Sequence, residues 1–184
     1  MTIIQKAKNE FLSMLDRNYD KYNLRLHIQE AEKWLIYILK KYPEANKEIL
    51  ELTVWLHDIG QYPINEKIDH AITSEKIAEE FFKRQKCHQS TIKEVLHCIR
   101  SHRNKDVKPQ SLEAKLFCAL DSISHFTYAP HIDMLRNGRG KEGLEKLERD
   151  YHDLDGFPEI KKELTPIYRS WKSLLLNLIK LDIR

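Results

Sequence analysis

Apolar residues recur at three- and four-residue intervals along most of the chain, and no alternating run long enough for a half-buried strand interrupts them. The spacing predicts a first helix over about residues 2–18. A second follows Asn23, with Leu24, Ile28, Ala31, Leu35 and Ile38 on one stripe. A third carries Pro43 in its first turn and ends at Gly60. A fourth covers "DHAITSEKIAEEFFKRQ", and a fifth opens on the capping box Thr91–Glu94 and runs to about Arg103. The sixth spans Ser111 to His125. "YAPHIDMLRNGRG" reads as loop with at most one turn, since glycines loosen it. Two helices near 141–152 and 166–182 complete the set, the last with Pro166 at its start. With no repeat and no low-complexity linker, the pattern implies one all-α domain over residues 1–184, a helical bundle.

Several polar residues break the apolar faces. In "TVWLHDIG", residues 53–60, His57 and Asp58 stand at the inner end of an apolar helix. Burying such groups without partners costs roughly 2–7 kcal/mol each. On a helical wheel His27 falls on the stripe of Leu24, Ala31, Trp34 and Ile38, and His70 lines up with Thr73, Ile77 and Phe81. His102 lies at the edge of the Ile92, Val95, Leu96, Ile99 stripe, whereas His97 points nearly opposite. Asp121 shares a face with Ala114, Phe117 and Cys118 on a helix that is apolar on two faces. Taken singly, each has a plain reading: a hydrogen-bonded core histidine, a helix-end pair, a buried ion-pair partner. Taken together on five helices, they supply the neutral imidazoles and carboxylates that a metal needs.

Composition narrows the classes. The 184 residues are 41% hydrophobic, and 31 basic against 28 acidic residues leave a net charge of +3, too mild to argue for nucleic acid. Cys87, Cys98 and Cys118 form no CxxC pair, and their odd number suits a reducing compartment. The N-terminus lacks the apolar stretch of a signal peptide, and the longest apolar runs are far short of a membrane span. The expectation is a cytoplasmic protein with no membrane partner; nothing in the sequence speaks to its oligomeric state.

In order, the chain reads His27, then "LHDIG" with His57 and Asp58, then "DHAITSEKIAEEFF" with His70, "CIRSHR" with His102, and "AKLFCALDSISHF" with Asp121. This series resembles the HD superfamily of metal-dependent phosphohydrolases over roughly residues 23–125. The resemblance implies an HD-type helical bundle in which His27, His57, Asp58 and Asp121 are the primary metal ligands. His70 and His102 match the histidines that some members add to bind a second ion. It also implies that residues 126–184 complete the bundle and shape the pocket. Two departures stand out: Gln61 occupies the place of a lysine common after the glycine, and Asp121-Ser122-Ile123 replaces a frequent Asp-Ala-Asp.

The implied chemistry is hydrolysis of a phosphate ester or anhydride, with a nucleotide as the expected substrate class. One or two divalent transition-metal ions (iron, manganese or zinc) would activate water and polarise a phosphoryl oxygen. Asp58 would bridge two ions or orient the water, and Arg103 and Lys105, just past His102, are candidate cations for the developing negative charge. Two other classes stay open: a di-iron oxygenase, as in one branch of the superfamily, and a non-catalytic metal-stabilised module that binds a nucleotide or partner.

Overall fold

The computed structural model describes residues 1–65 and 67–181, and among them the regular elements are all α-helices. They are α1 (Ile3–Asp16), α2 (Leu24–Lys41), α3 (Lys47–Leu56), α4 (His70–Lys83), α5 (Gln89–Ser101), α6 (Leu112–Tyr128), α7 (Pro130–Arg136), α8 (Gly140–His152) and α9 (Pro158–Lys180). The fold is all-α, as the periodicity requires. The chain forms two compact units, Met1–Leu120 and Asp121–Arg184, divided within α6.

In the first unit α3 is central, with α1, α2 and α5 packed against it and α4 packed on α5. Its sequence explains this position: Leu50, Leu52, Val54 and Leu56 are all fully buried, and a helix apolar on every side must be surrounded. The start of α3 differs from expectation. Asn46, not Pro43, opens it, because Asn46 Oδ1 accepts from the Glu48 and Ile49 amides at 3.1 and 3.3 Å. Pro43 lies outside the helix, after Tyr42 N–H closes α2 on the Ile38 carbonyl.

The other end also differs. Helix α3 stops at Leu56, and residues 57–60 continue as turns. Gly60 is there for close approach: a Cβ at this position would lie 2.4 Å from the Ser74 amide nitrogen. Instead Gly60 N–H donates to Ser74 Oγ at 2.9 Å, joining the doublet turn to α4. Helix α5 begins two residues before the expected capping box. Glu94 is drawn elsewhere, accepting from the Ser111 hydroxyl that also caps Ala114.

In the second unit α7, α8 and α9 pack on one another. The segment expected as loop contains a true helix. Ala129 takes a left-handed backbone (φ 58°), and Pro130 then opens α7 with a ring preset for a first helical position. The last helix starts at Pro158, so Pro166 is inside it and not at its start. The Thr165 and Ser170 hydroxyls donate to the Lys161 and Pro166 carbonyls there, at 2.7 and 3.0 Å. Its expected end at residue 182 lies outside the described residues. Among the described residues no helix is long and apolar enough to cross a membrane.

Candidate metal centre

Each inward histidine of the first unit is delivered by a helix end. His27 sits in the first turn of α2, His57 caps the end of α3, His70 opens α4, and His102 caps the end of α5. The turn before α2 is built on Asp20. Its Oδ1 accepts from the Leu24 amide (2.8 Å) and the Tyr62 hydroxyl (3.1 Å), and its Oδ2 from the Arg25 amide (3.1 Å). This sets the register that aims His27 inward. His57 and His102 use carbonyls left open at helix ends. Their Nδ1–H groups donate to Val54 O (3.0 Å) and Ile99 O (2.6 Å), three residues back. Both Nε2 atoms therefore face the interior, the nitrogen a metal would take, each within hydrogen-bond distance of a second imidazole, His27 for His57 and His70 for His102.

Asp58 stands between two imidazole pairs. His27 Nε2 and His57 Nε2 are 3.0 Å apart, and each lies 3.7 Å from Asp58 Oδ2. His70 Nε2 and His102 Nε2 are 3.2 Å apart, lying 3.2 and 3.9 Å from Asp58 Oδ1. One ligand atom from each of Asp58, His70 and His102 fits within a 4.8 Å cluster. His57 is fully buried, and His27, His102 and Asp58 nearly so. Burial alone would raise the Asp58 pKa, but the imidazoles of His57, His70 and His27 outweigh it and hold the carboxyl well below its ordinary range. Yet Asp58 Oδ1 is a buried oxygen with no hydrogen-bond partner. A buried carboxylate oxygen without a hydrogen-bond partner, set among converging imidazole nitrogens, is costly without a cation and fits one well.

The HD domain family model matches residues 24–125. This chain belongs to the HD domain family. HD domains are helical, bind divalent metals and define a superfamily of metal-dependent phosphohydrolases, and the cluster around Asp58 is compatible with their metal-binding pattern. No curated protein and no solved structure matches the chain significantly.

The remaining HD residue is Asp121. Within the first unit Phe117 packs its ring on His57, with centroids 5.1 Å apart. Asp121 follows one turn later on the same face of α6 and is buried. Leu116 and Ile123 on one face of α6, and Ala114 and Phe117 on the other, are all fully buried, which accounts for a helix apolar on two sides.

Beside His70 the HD domain opens into a polar cavity of about 450 Å³. Gln61, Asn65, Lys67, Arg103 and Lys105 line it with His70. Arg103 and Lys105 both face Asp69, whose Oδ2 accepts from Arg103 Nη1 and lies 3.8 Å from Lys105 Nζ. Burial would raise the Asp69 pKa, and the Arg103 hydrogen bond overrides it to lower the value. Lys67 was not a sequence candidate. It sits in a loop with no periodic face, so nothing in the pattern could aim it at the cavity. His97 faces the other way, its Nε2 accepting from the Gln110 amide at 3.1 Å.

A second buried histidine cluster also escaped the sequence. In the second unit Asp150 Oδ2 lies 3.1 Å from His131 Nε2 and 3.2 Å from His125 Nδ1, while Lys146 Nζ donates to Asp150 Oδ1 at 3.2 Å. Lys146 Nζ is also 3.1 Å from His125 Nδ1. Burial raises the Asp150 pKa, and Lys146 with the two histidines reverses that and lowers it strongly. For His125, burial and Lys146 both act to lower the pKa.

Proposed function

We propose that this HD-domain protein hydrolyses a phosphate ester or anhydride of a small phosphorylated compound, a nucleotide being the substrate class, and that it does so with two divalent ions. The observation that carries this reading is Asp58, set with Oδ2 toward the His27–His57 pair and Oδ1 toward the His70–His102 pair. His27 and His57 would hold the first ion, His70 and His102 the second, and Asp58 both. Nitrogen-rich ligation suits iron, manganese or zinc better than magnesium. A divalent ion bound there lowers the pKa of water toward neutrality and polarises a phosphoryl oxygen. The side chains contribute the rest. Lys67 and Lys105, beside an Arg103 paired with Asp69, give the cavity next to His70 cationic groups suited to a phosphate. Gln61 stands as a neutral amide where relatives commonly have a lysine, so these two lysines would carry the charge complementarity.

The test is metal analysis of the purified protein followed by a substrate panel with iron, manganese and zinc. Nucleoside monophosphates, dinucleoside polyphosphates and cyclic dinucleotides should be compared with a generic phosphodiester. Metal-dependent phosphate-ester cleavage that disappears in Asp58→Ala is the expected result. A metal-replete protein that cleaves none of them would overturn the reading, and oxygen uptake in its place would make the protein an oxygenase.

A further inference from the structure

We propose that Asp69 and Arg103 form a clamp that holds His70 and His102 at the spacing a shared ion requires, so that Arg103 is a positioning residue and Lys105 the cation left for substrate. The inference rests on the two-ion reading above. Helices α4 and α5 form a hairpin whose connection, residues 84–88, lies at the far end from these histidines. His70 is the first residue of α4 and His102 follows the last residue of α5, so both stand at the open end, about 20 Å from the connection. Apolar packing is unevenly distributed along the pair. The large buried rings of α4, Phe81 and Phe82, belong to its last turn, whereas its first turns bury only Ala71 and Ser74. The last turn of α5 buries Cys98, Ile99 and Ser101. On the α4 side, small side chains give the open end little apolar area with which to resist splaying.

Polar contacts take over there. Asp69 directly precedes His70, and Arg103 directly follows His102. Asp69 Oδ1 caps α4 by accepting from the Ala71 amide at 3.0 Å, while Oδ2 accepts from Arg103 Nη1. One carboxylate thus ties the backbone that carries His70 to the residue beside His102. Arg100 repeats the cross-link one turn further in, with its Nε 3.5 Å from Glu75 Oε2. Lys105 is placed differently: its side chain is 68% exposed and only 3.8 Å at its nearest from the same carboxylate. A substrate phosphate can recruit it without undoing the clamp.

The experiment is a Mn2+ titration read by metal content after gel filtration and by the exchange-coupled electron paramagnetic resonance signal of a paired site. Three single variants and the Asp69→Asn/Arg103→Gln double variant are compared with wild type. Asp69→Asn keeps an N-cap acceptor while removing the charge; Arg103→Gln removes the other partner at a more exposed position; Lys105→Met tests the free cation. Wild type should hold two ions. Asp69→Asn and Arg103→Gln should each weaken the second ion at least tenfold, lose the coupled signal and keep the first ion, with the double variant no worse than either single one. Lys105→Met should keep both ions and raise KM. Two ions at wild-type affinity in both clamp variants would overturn the clamp alone, as would an Arg103→Gln protein that keeps both ions and shows only a raised KM. A wild type that holds a single ion would overturn the two-ion reading and the clamp with it.

Discussion

Two buried carboxylates in this molecule are each surrounded by histidines, and they differ in whether a cation comes with them. Asp150, in the second unit, has His125 and His131 on one oxygen and Lys146 on the other. The ammonium resides in the fold, and the polar atom left over is a ring nitrogen, His131 Nδ1. Asp58, in the first unit, has four imidazoles and, among the described residues, no lysine or arginine, and its leftover atom is a carboxylate oxygen. A buried His–Asp cluster that brings its own lysine is a structural network; one that leaves an anionic oxygen open is built for a cation from outside. Histidine count alone does not separate the two cases. Local charge balance does.

The largest test of that contrast is to neutralise each carboxylate and measure the stability of the metal-free protein. Asp150→Asn leaves Lys146 without its anion in a mostly buried setting and should lower the unfolding free energy by about 3 kcal/mol, the low end for a broken buried pair because Lys146 keeps some solvent contact. Asp58→Asn removes a charge faced by imidazoles, strands no lysine or arginine among the described residues, and should lower apo stability by less than Asp150→Asn does. Equal losses in urea melts would mean that both clusters are structural. The acid limb is a check on Asp150 by itself, since the Asp58 carboxyl is held low as well. Asp150 has a folded pKa below its unfolded value of about 3.9. Its stabilisation is therefore complete above that value and is lost as pH falls toward the folded one. Asp150→Asn should flatten the stability profile below about pH 4.

Much of the first cluster was legible from sequence, because its residues sit on helices whose apolar stripes are long and unambiguous. His27 could be placed by Leu24, Ala31 and Ile38, and the doublet by the apolar run before it. The second cluster was not, although its parts were in plain view. Lys146 and Asp150 are four apart on α8 beside the fully buried Leu147, a spacing that puts both on one face of the helix. His131 had no face to belong to once residues 128–140 were read as loop. The left-handed Ala129 and the proline after it look like a breaker and are in fact the start of α7. Pro166 misled in the opposite direction: a proline inside a helix reads as a beginning, and only tertiary packing carries α9 through it.

Within the first cluster the next effect in size concerns the two histidine pairs. Asp58 Oδ1 is closer to His70 (3.2 Å) than Oδ2 is to either His27 or His57 (3.7 Å). His70 is also the only one of the four with appreciable exposure, 20% of its side chain. His70→Ala should therefore lower the metal content from two ions to one per chain while sparing the ion at His27 and His57, with little change in the melt. Loss of both ions would show the pairs to be one inseparable site, and retention of both would return His70 to the role of a cap-adjacent surface residue.

The smallest expected effect belongs to His97, the histidine of α5 that faces away from Asp58. It lies five residues before His102, a separation that turns the two side chains to different sides of the helix. Its ring braces the fold locally: Nε2 accepts from the Gln110 amide and pins the segment that leads into α6. His97→Ala removes that acceptor at a partly exposed position, where the donor can turn to water, so the cost should be about 1 kcal/mol or less. Metal content and the coupled signal should be those of wild type. If His97→Ala instead lost an ion while His102→Ala kept both, the second ion would have to lie on the opposite face of α5, and the contrast between an open Asp58 cluster and a self-neutralised Asp150 cluster would no longer identify the metal site.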